Sequence, residues 1–378
     1  MKINTQVISS FVLASIMAYN AGHAQTWTTV GRAGFSKGVV TFPSLALDGK
    51  GTPYIAYSDE GIAGMVAVMK FNGKDWVSIG DPGFSQAPTM YNSIAIDGNG
   101  DIYVGYTDQG NGGKATVLKY KDGNWIAVGV PDFSEGGVQY TSIALDNKGV
   151  PYLTFQNGGN EGMATVMKFN GDDWVTVGNA DFSAGAALNT SIAIDKSGVP
   201  YVVYEDMANH GKATVMKYNG SNWAVVGKAG LSADTATFST IAIDENDIPY
   251  IAYEDYGNGK KATVMKFNGS KWEAVGHAGI SLGHAPYTSI TVDRKGTPYV
   301  VFRDVASGEG KATAMKYNGR EWVNAGNPDF SAGGAIYPCI AIDKVGIPYV
   351  VYQDYSSADA YGNKATVMKL DASVTMKR

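Results

Sequence analysis

The chain has 378 residues, of which 44% are hydrophobic and 17% are charged, and its formal net charge is −5. Charges of both signs are mixed along it and no basic stripe is present, which argues against nucleic acid as a partner. Cys339 is the only cysteine, so an internal disulfide is excluded.

Residues 1–24 have the pattern of a secretory signal peptide. Lys2 gives a positive start, Val7–Tyr19 is apolar, and Gly22 and Ala24 are small residues ahead of a cleavage site. The apolar stretch is too short for a transmembrane helix, and no cysteine follows it that could carry a lipid. The sequence therefore predicts export to the periplasm or the extracellular space, with no membrane span.

A tryptophan recurs along the rest of the chain at a nearly constant interval. The separation is 49 residues five times and then 50. The series consists of Trp27, Trp76, Trp125, Trp174, Trp223, Trp272 and Trp322. A period of this length indicates a repeat architecture, in which one copy alone cannot bury its apolar face.

Each copy contains four short segments typical of β-strands. In one copy they are Ser191–Asp195, Tyr201–Tyr204, Lys212–Tyr218 and Trp223–Val226, with an Asn-Gly hairpin signal before the last. Four short strands with tight turns, repeated radially, describe a propeller blade.

The two ends of the chain are offset against the repeat. A lone fourth strand, Trp27–Val30, comes first, and a third strand, Lys364–Leu370, comes last with no tryptophan after it. The N-terminal strand can therefore complete the last blade and close the ring. We predict an all-β fold, a single seven-bladed β-propeller of four-stranded antiparallel blades over residues 25–378.

The recurring pattern SIAID-x-x-G-x-PYVVY, over residues 27–370, resembles bacterial seven-bladed propellers of the NHL-like and kelch-like kind. NHL repeats are shorter, and the kelch double glycine is absent. Such propellers include enzymes, lectins and protein-binding scaffolds, so the resemblance implies a fold and no particular activity.

Features present in every copy are interpreted as scaffold. The tryptophans are expected to pack between blades, and Cys339 to be a small buried residue where other copies have Ser or Thr. The spacing of Asp97, Asn99 and Asp101 is interpreted as a turn and not as a calcium site.

The first strands end in Asp48, Asp97, Asp146, Asp195, Asp244, Asp293 and Asp343, and the third strands carry Lys70, Lys119, Lys168, Lys217, Lys266, Lys316 and Lys369. These residues are expected to cap turns or to form exposed ion pairs on one face, the turn face.

The opposite face, here the loop face, is expected to carry the function, because the longer connections lie there. An aromatic ring is predicted from Phe42, Tyr91, Tyr140, Phe238, Tyr287 and Tyr337, broken by Asn189. An acidic ring around the channel mouth is predicted from Asp59, Asp108, Asp206, Asp255, Asp304 and Asp354, with Asn157 in the remaining blade. His210, His277 and His284 also lie in these connections, and the Asp304–Lys311 loop is one residue longer than most.

Three functions are compatible with this face. A binding propeller, lectin-like, would use tyrosines to stack on sugars and carboxylates to accept hydroxyl hydrogen bonds. Its candidate ligand-binding residues are Asp206, Asp255, Asp304, Asp354, Tyr91, Tyr140, Tyr287, Tyr337, His210, His277 and His284. A polysaccharide lyase-like or hydrolase-like enzyme would use His284, Tyr287, Arg303 and Asp304 as one catalytic site in blade 6. The third possibility is a scaffold without a small-molecule ligand. We expect a monomer with a glycan or another secreted or surface protein as partner, and no cofactor or metal.

Overall fold

The computed structural model describes residues 25–356 and 362–371. The expected signal peptide, residues 1–24, lies outside the described residues. The described chain forms seven four-stranded antiparallel sheets with almost no helix. The predicted seven-bladed propeller is confirmed. No helix among the described residues is long and apolar enough to cross a membrane.

The strands are numbered in chain order, and each blade runs from the channel outward. Blade 1 contains β2 (Val40–Leu47), β3 (Pro53–Asp59), β4 (Met65–Phe71) and β5 (Trp76–Ser78). Blade 2 contains β6 (Thr89–Ile96), β7 (Ile102–Asp108), β8 (Lys114–Lys121) and β9 (Asn124–Ala127). Blade 3 contains β10 (Val138–Leu145), β11 (Pro151–Asn157), β12 (Met163–Phe169) and β13 (Trp174–Thr176). Blade 4 contains β14 (Ala187–Ile194), β15 (Pro200–Asp206), β16 (Lys212–Tyr218) and β17 (Trp223–Val225).

Blades 5 to 7 complete the ring. Blade 5 contains β18 (Ala236–Ile243), β19 (Pro249–Asp255), β20 (Lys261–Phe267) and β21 (Trp272–Ala274). Blade 6 contains β22 (Ser289–Val292), β23 (Pro298–Asp304), β24 (Lys311–Tyr317) and β25 (Trp322–Asn324). Blade 7 contains β26 (Ala335–Ile342), β27 (Pro348–Asp354), β28 (Lys364–Asp371) and β1 (Thr26–Thr29). Short 3₁₀ turns follow the second strand in four blades, at Glu60–Ile62, Gln109–Asn111, Met207–Asn209 and Tyr256–Asn258.

The first and last strands close the ring in one sheet. β1 pairs antiparallel with β28, and Trp27 lies opposite Leu370. This pairing is the predicted closure, and it covers the outer edge of β28, which would otherwise expose unpaired backbone groups.

The hydrophobic core is divided into seven clusters, one between each pair of neighbouring blades. Between blades 3 and 4, for example, Ala164 and Val166 of one sheet pack against Val202 and Tyr204 of the next. Successive side chains of a strand point to opposite sheet faces, so every blade contributes to two clusters.

Each tryptophan fastens its blade to the preceding one. The indole N–H of Trp174 donates to the carbonyl of Val128 at 2.7 Å, and its ring stacks on Phe133 at a centroid distance of 4.3 Å. The same indole-to-carbonyl bond is present at all seven tryptophans, with lengths of 2.7–2.8 Å. The expectation that these residues pack between blades is confirmed.

On the turn face, the aspartate that ends each first strand caps the following turn. The Asp97 carboxylate accepts from the N–H groups of Asn99 and Asp101, both at 2.9 Å. All seven equivalent aspartates make the same two bonds. Turn capping is therefore their role, and Asp97 lies in a turn as predicted. Among the described residues, no ion pair joins these aspartates to the third-strand lysines.

Candidate functional site

Seven equivalent residues, one in each blade, surround the channel on the loop face. Six of them belong to the first strands, and the one in blade 6 lies just before β22. In six blades a β-bulge interrupts the pairing of the first and second strands at this position. The bulged residue has a left-handed backbone in every blade, with φ between 50° and 60° at Phe42, Tyr91, Tyr140, Asn189, Phe238, Tyr287 and Tyr337. Such a backbone is unfavourable for a bulky residue, and a bulge turns the side chain away from its ordinary direction. Here it directs the seven side chains to the channel mouth.

The six aromatic side chains form a nearly continuous ring. Neighbouring centroids are 4.5–5.3 Å apart along the series Phe238, Tyr287, Tyr337, Phe42, Tyr91 and Tyr140. They line a cavity of about 250 Å³ at the channel mouth. The predicted aromatic ring is present. Burial, followed by the neighbouring Tyr140 and Tyr337, raises the pKa of Tyr91 to about 12, so its hydroxyl keeps its proton.

The ring is open at blade 4, where Asn189 replaces an aromatic residue. The Asn189 amide donates to the Glu205 carboxylate at 3.2 Å. Glu205 is 7% exposed, and burial raises its pKa, while the Asn189 hydrogen bond acts in the opposite direction. Burial and then the charge of Glu205 raise the pKa of Tyr140. Asn189, Glu205 and Tyr140 therefore form a polar notch in an otherwise aromatic rim.

Glu205 is a residue that the sequence argument missed. It is the penultimate residue of β15, at a position occupied in the seven blades by Ser58, Thr107, Gln156, Glu205, Glu254, Arg303 and Gln353. The sequence did contain a signal for this residue. In one repeat, the only non-aromatic ring residue, Asn189, occurs together with an acid, Glu205, at the penultimate position.

The expected acidic ring around the channel mouth is not formed. Asp59, Asp206, Asp255, Asp304 and Asp354 are at most 4% exposed. The Asp206 carboxylate, for example, accepts from the Ala208 N–H, the Asn209 amide and the Thr214 hydroxyl at 3.1, 2.8 and 2.7 Å. An acid at the start of a turn is a favourable acceptor for free backbone N–H groups, so these carboxylates turn into their own loops. The prediction that they surround the channel mouth was wrong.

The proposed catalytic group of blade 6 is only partly assembled. The backbone segments do meet, since the N–H of Arg303 donates to the carbonyl of Pro286 and that of Val305 to the carbonyl of His284, both at 3.1 Å. However, Arg303 and Asp304 are consecutive strand residues and point to opposite faces of the sheet. Asp304 is buried, accepts from the Ala306 N–H at 3.0 Å, and has a pKa raised by burial. The side chains of Arg303 and Asp304 therefore do not converge on one face of the sheet.

The three loop-face histidines do not join the ring. His210, His277 and His284 are exposed, and none of them lines the channel-mouth cavity. His210 has a left-handed backbone with φ of 60° and ends the 3₁₀ turn of blade 4.

Below the aromatic ring, Cys339 takes a position that holds Ser or Thr in the other blades. It is of intermediate exposure and lines the same cavity, so the expected burial is only partial. Burial of the sulfur raises the pKa of the thiol. At the same position of blade 2, the Ser93 hydroxyl accepts from the Ile143 N–H of blade 3 at 3.1 Å, which ties the two inner strands together.

Two larger cavities lie on the turn face, of about 740 Å³ between blades 2 and 3 and about 800 Å³ between blades 7 and 1. Equivalent residues line both, namely Tyr103, Lys119, Asp146 and Lys168 in one, and Tyr349, Lys369, Asp48 and Lys70 in the other. Because every blade contains these residue types, the grooves follow from the repeat and do not distinguish one blade from another.

No protein-family model and no curated protein sequence matches the chain. Its fold is similar to that of a polysaccharide lyase, an ulvan lyase bound to glucuronic acid linked to 3-sulfated rhamnose, with a TM-score of 0.59 and 13% identity over 90% of this chain and 95% of that one. It is also similar to the SapL1 lectin in complex with α-methyl fucoside, with a TM-score of 0.50 and 16% identity over 76% and 97%. A Hadza microbial sialidase matches with a TM-score of 0.51 and 14% identity over 86% and 73%. At these identities the similarity establishes the propeller fold.

Proposed function

We propose that the protein is a carbohydrate-binding propeller whose binding site is the aromatic ring at the channel mouth. The observation that carries the proposal is the single interruption of this ring by Asn189, with Glu205 behind it at 3.2 Å. An aromatic surface beside a few polar groups is the usual composition of a sugar site, because rings pack against C–H groups while carboxylates and amides bind hydroxyls.

The size of the site supports a small ligand. The cavity of about 250 Å³ lies below the range of about 300–1,000 Å³ that is common for drug-sized ligands. A single sugar ring at the end of a longer chain fits this description. The solved structures of similar fold include a lectin with a bound fucoside and a lyase with a bound oligosaccharide. We further propose that residues 1–24 direct export, which would place the site where glycans occur.

Replacing Asn189 with tyrosine tests the proposal. Four other blades hold tyrosine here with the same left-handed backbone, so this change completes the ring without requiring a new conformation. It closes the notch and covers Glu205, and we expect loss of sugar binding in calorimetry after a glycan-array screen has identified a ligand.

The matched control is Val345→Tyr, which also introduces a tyrosine but does so at an exposed turn-face position outside the ring and its cavity. We expect this variant to retain binding, with a stoichiometry of one ligand per chain. Unchanged binding by Asn189→Tyr would show that the notch is not the site, and absence of binding to every glycan would refute the proposed function.

A further inference from the structure

Arg303 differs from its counterparts in the other six blades. The penultimate residue of the second strand is elsewhere neutral or acidic, and it is paired in several blades. The Ser58 hydroxyl donates to the Thr89 carbonyl at 2.7 Å, and the Glu254 carboxylate accepts from the Thr237 hydroxyl at 2.8 Å. Among the residues that the structure describes, the buried Arg303 Nε has no hydrogen-bond partner and Arg303 forms no ion pair.

The neighbouring blade 7 lacks the two side chains that contact the equivalent position of blade 1. Ser58 of blade 1 is contacted by Thr89 and by the amide of Asn92 from blade 2. The positions equivalent to these two residues in blade 7 hold Ala335 and Pro338. Neither side chain can accept a hydrogen bond, so among the described residues these two positions give the guanidinium no side-chain acceptor.

The guanidinium is nevertheless held in place. A Cβ atom on Gly310 would overlap Arg303 Nε, so the side chain packs directly on the backbone of this loop. Glu309, the charged residue beside Gly310, is already paired with Lys311 at 2.7 Å. A fixed, partly buried arginine without an acceptor is costly, which is expected where a ligand supplies the missing group.

Blade 6 is also altered at the strand opposite Arg303. Pro286 occupies the position that pairs with the penultimate residue, and it has no N–H to donate, so only the bond from the Arg303 N–H to the Pro286 carbonyl remains. The first strand of this blade accordingly begins at Ser289, several residues later than in the other blades. These changes shorten the first strand of blade 6 and leave fewer backbone hydrogen bonds beside the ring residue Tyr287.

The position of Arg303 is equivalent in the repeat to a position that contacts the ring in blade 4. Glu205, its equivalent in blade 4, contacts the ring residue Asn189 of its own blade at 3.2 Å. Arg303 takes the same place behind Tyr287, two blades further around the ring. An arginine binds carboxylate and sulfate groups through parallel N–H bonds, whereas neutral sugars do not supply such a partner.

We propose that Arg303 binds a negatively charged group of the sugar, and that the ligand of the channel mouth is an acidic carbohydrate that carries a carboxylate or a sulfate. This inference rests on the proposed sugar-binding function. The aromatic ring and the notch hold the sugar, and Arg303 selects its charged group.

Calorimetry with matched saccharides tests this inference. The probes are oligogalacturonides, the same chains with their carboxyl groups reduced to alcohols, and a sulfated galactan oligosaccharide. We expect the unaltered protein to bind one of the two acidic probes at least about tenfold more tightly than the reduced chain, a preference that weakens with salt. The acidic probe that is preferred identifies carboxylate or sulfate as the group bound.

The variant Arg303→Gln is expected to lose this preference while it keeps its affinity for the reduced chain, and Arg303→Lys to restore part of it. Arg294→Gln, on the exposed turn face, is the control and should leave the preference intact. If Arg303→Gln does not fold, Arg303→Lys, which keeps the charge but loses the parallel N–H bonds, tests the role of Arg303 with the same probes, and an unchanged preference in that variant would overturn it.

Two negative results have different meanings. Equal binding of acidic and reduced chains, abolished by Asn189→Tyr, would overturn the role of Arg303 and leave the sugar site standing. No binding to these probes or to neutral glycans would refute the proposed function, and this inference with it.

Discussion

The two faces of the propeller use the same repeat in different ways. On the turn face, one aspartate per blade holds the same two backbone N–H groups in all seven copies. On the loop face, the ring position is aromatic in six blades and is Asn189 in blade 4. The penultimate residue of the second strand is an arginine, Arg303, only in blade 6. Sevenfold identity marks positions that stabilise the ring, whereas single departures at blades 4 and 6 mark positions where a ligand can be distinguished.

The largest effect is expected for a residue common to all blades. Trp174→Ala removes a buried ring that stacks on Phe133 and an indole bond to the Val128 carbonyl. We expect a loss of about 3–5 kcal/mol in the free energy of unfolding, measured by urea denaturation. Trp174→Phe, which keeps an aromatic ring, should lose less. A loss below about 1 kcal/mol for the alanine variant would contradict a stabilising role for these contacts.

A smaller loss is expected at a turn-face cap. Asp48→Ala leaves the N–H groups of Lys50 and Thr52 without their carboxylate acceptor, which should cost about 0.5–2 kcal/mol. Burial acts to raise the pKa of Asp48, but the N–H bonds from Thr52 and Lys50 outweigh it, so the pKa lies below its ordinary value of 3.8.

The pH dependence at Asp48 follows from that direction. The contribution of the ionised carboxylate is fully present above pH 3.8 and is lost as the pH falls through the lowered pKa. The stability difference between the unaltered protein and Asp48→Asn should therefore shrink below pH 3.8. A difference that is constant from neutral to acidic pH would argue against capping by the ionised form.

The smallest effect, and one of opposite sign, is expected at the loop-face notch. Burial raises the pKa of Glu205 above its ordinary value of 4.5, so the folded protein binds this proton more tightly than the unfolded chain does. Stability from this group is therefore gained as the pH falls through the raised pKa toward 4.5, and is lost as the pH rises through that window.

Glu205→Gln should accordingly raise the free energy of unfolding at neutral pH by less than about 1 kcal/mol and remove the pH dependence in that window. Glu254→Gln, the equivalent change in blade 5, serves as the matched control, because Glu254 accepts from Thr237 and the ring residue of its blade, Phe238, is aromatic. A decrease in stability for Glu205→Gln would mean that the carboxylate stabilises the fold and is not kept there for binding.

Two rings predicted from the sequence, one aromatic and one acidic, had different outcomes in the structure. Both were predicted by aligning equivalent positions of the repeats, and Phe42, Tyr91 and their counterparts do surround the channel. The carboxylates of Asp206 and its counterparts do not, because hydrogen bonds to loop N–H groups and hydroxyls turn them inward. A repeat places backbone positions, but the direction of each side chain depends on the partners that the fold supplies.

The number of blades, the closure by β1 and the packing role of the tryptophans were determined by the sequence itself, because a period of 49 residues and offset chain ends allow one way to bury all apolar faces. The tertiary structure decided the features that depend on contacts between individual side chains. It placed Glu205 behind Asn189 of the same blade, and among the described residues it gives Arg303 Nε no hydrogen-bond partner. Such contacts depend on the direction in which each side chain points, and the repeat pattern of the sequence does not give that direction.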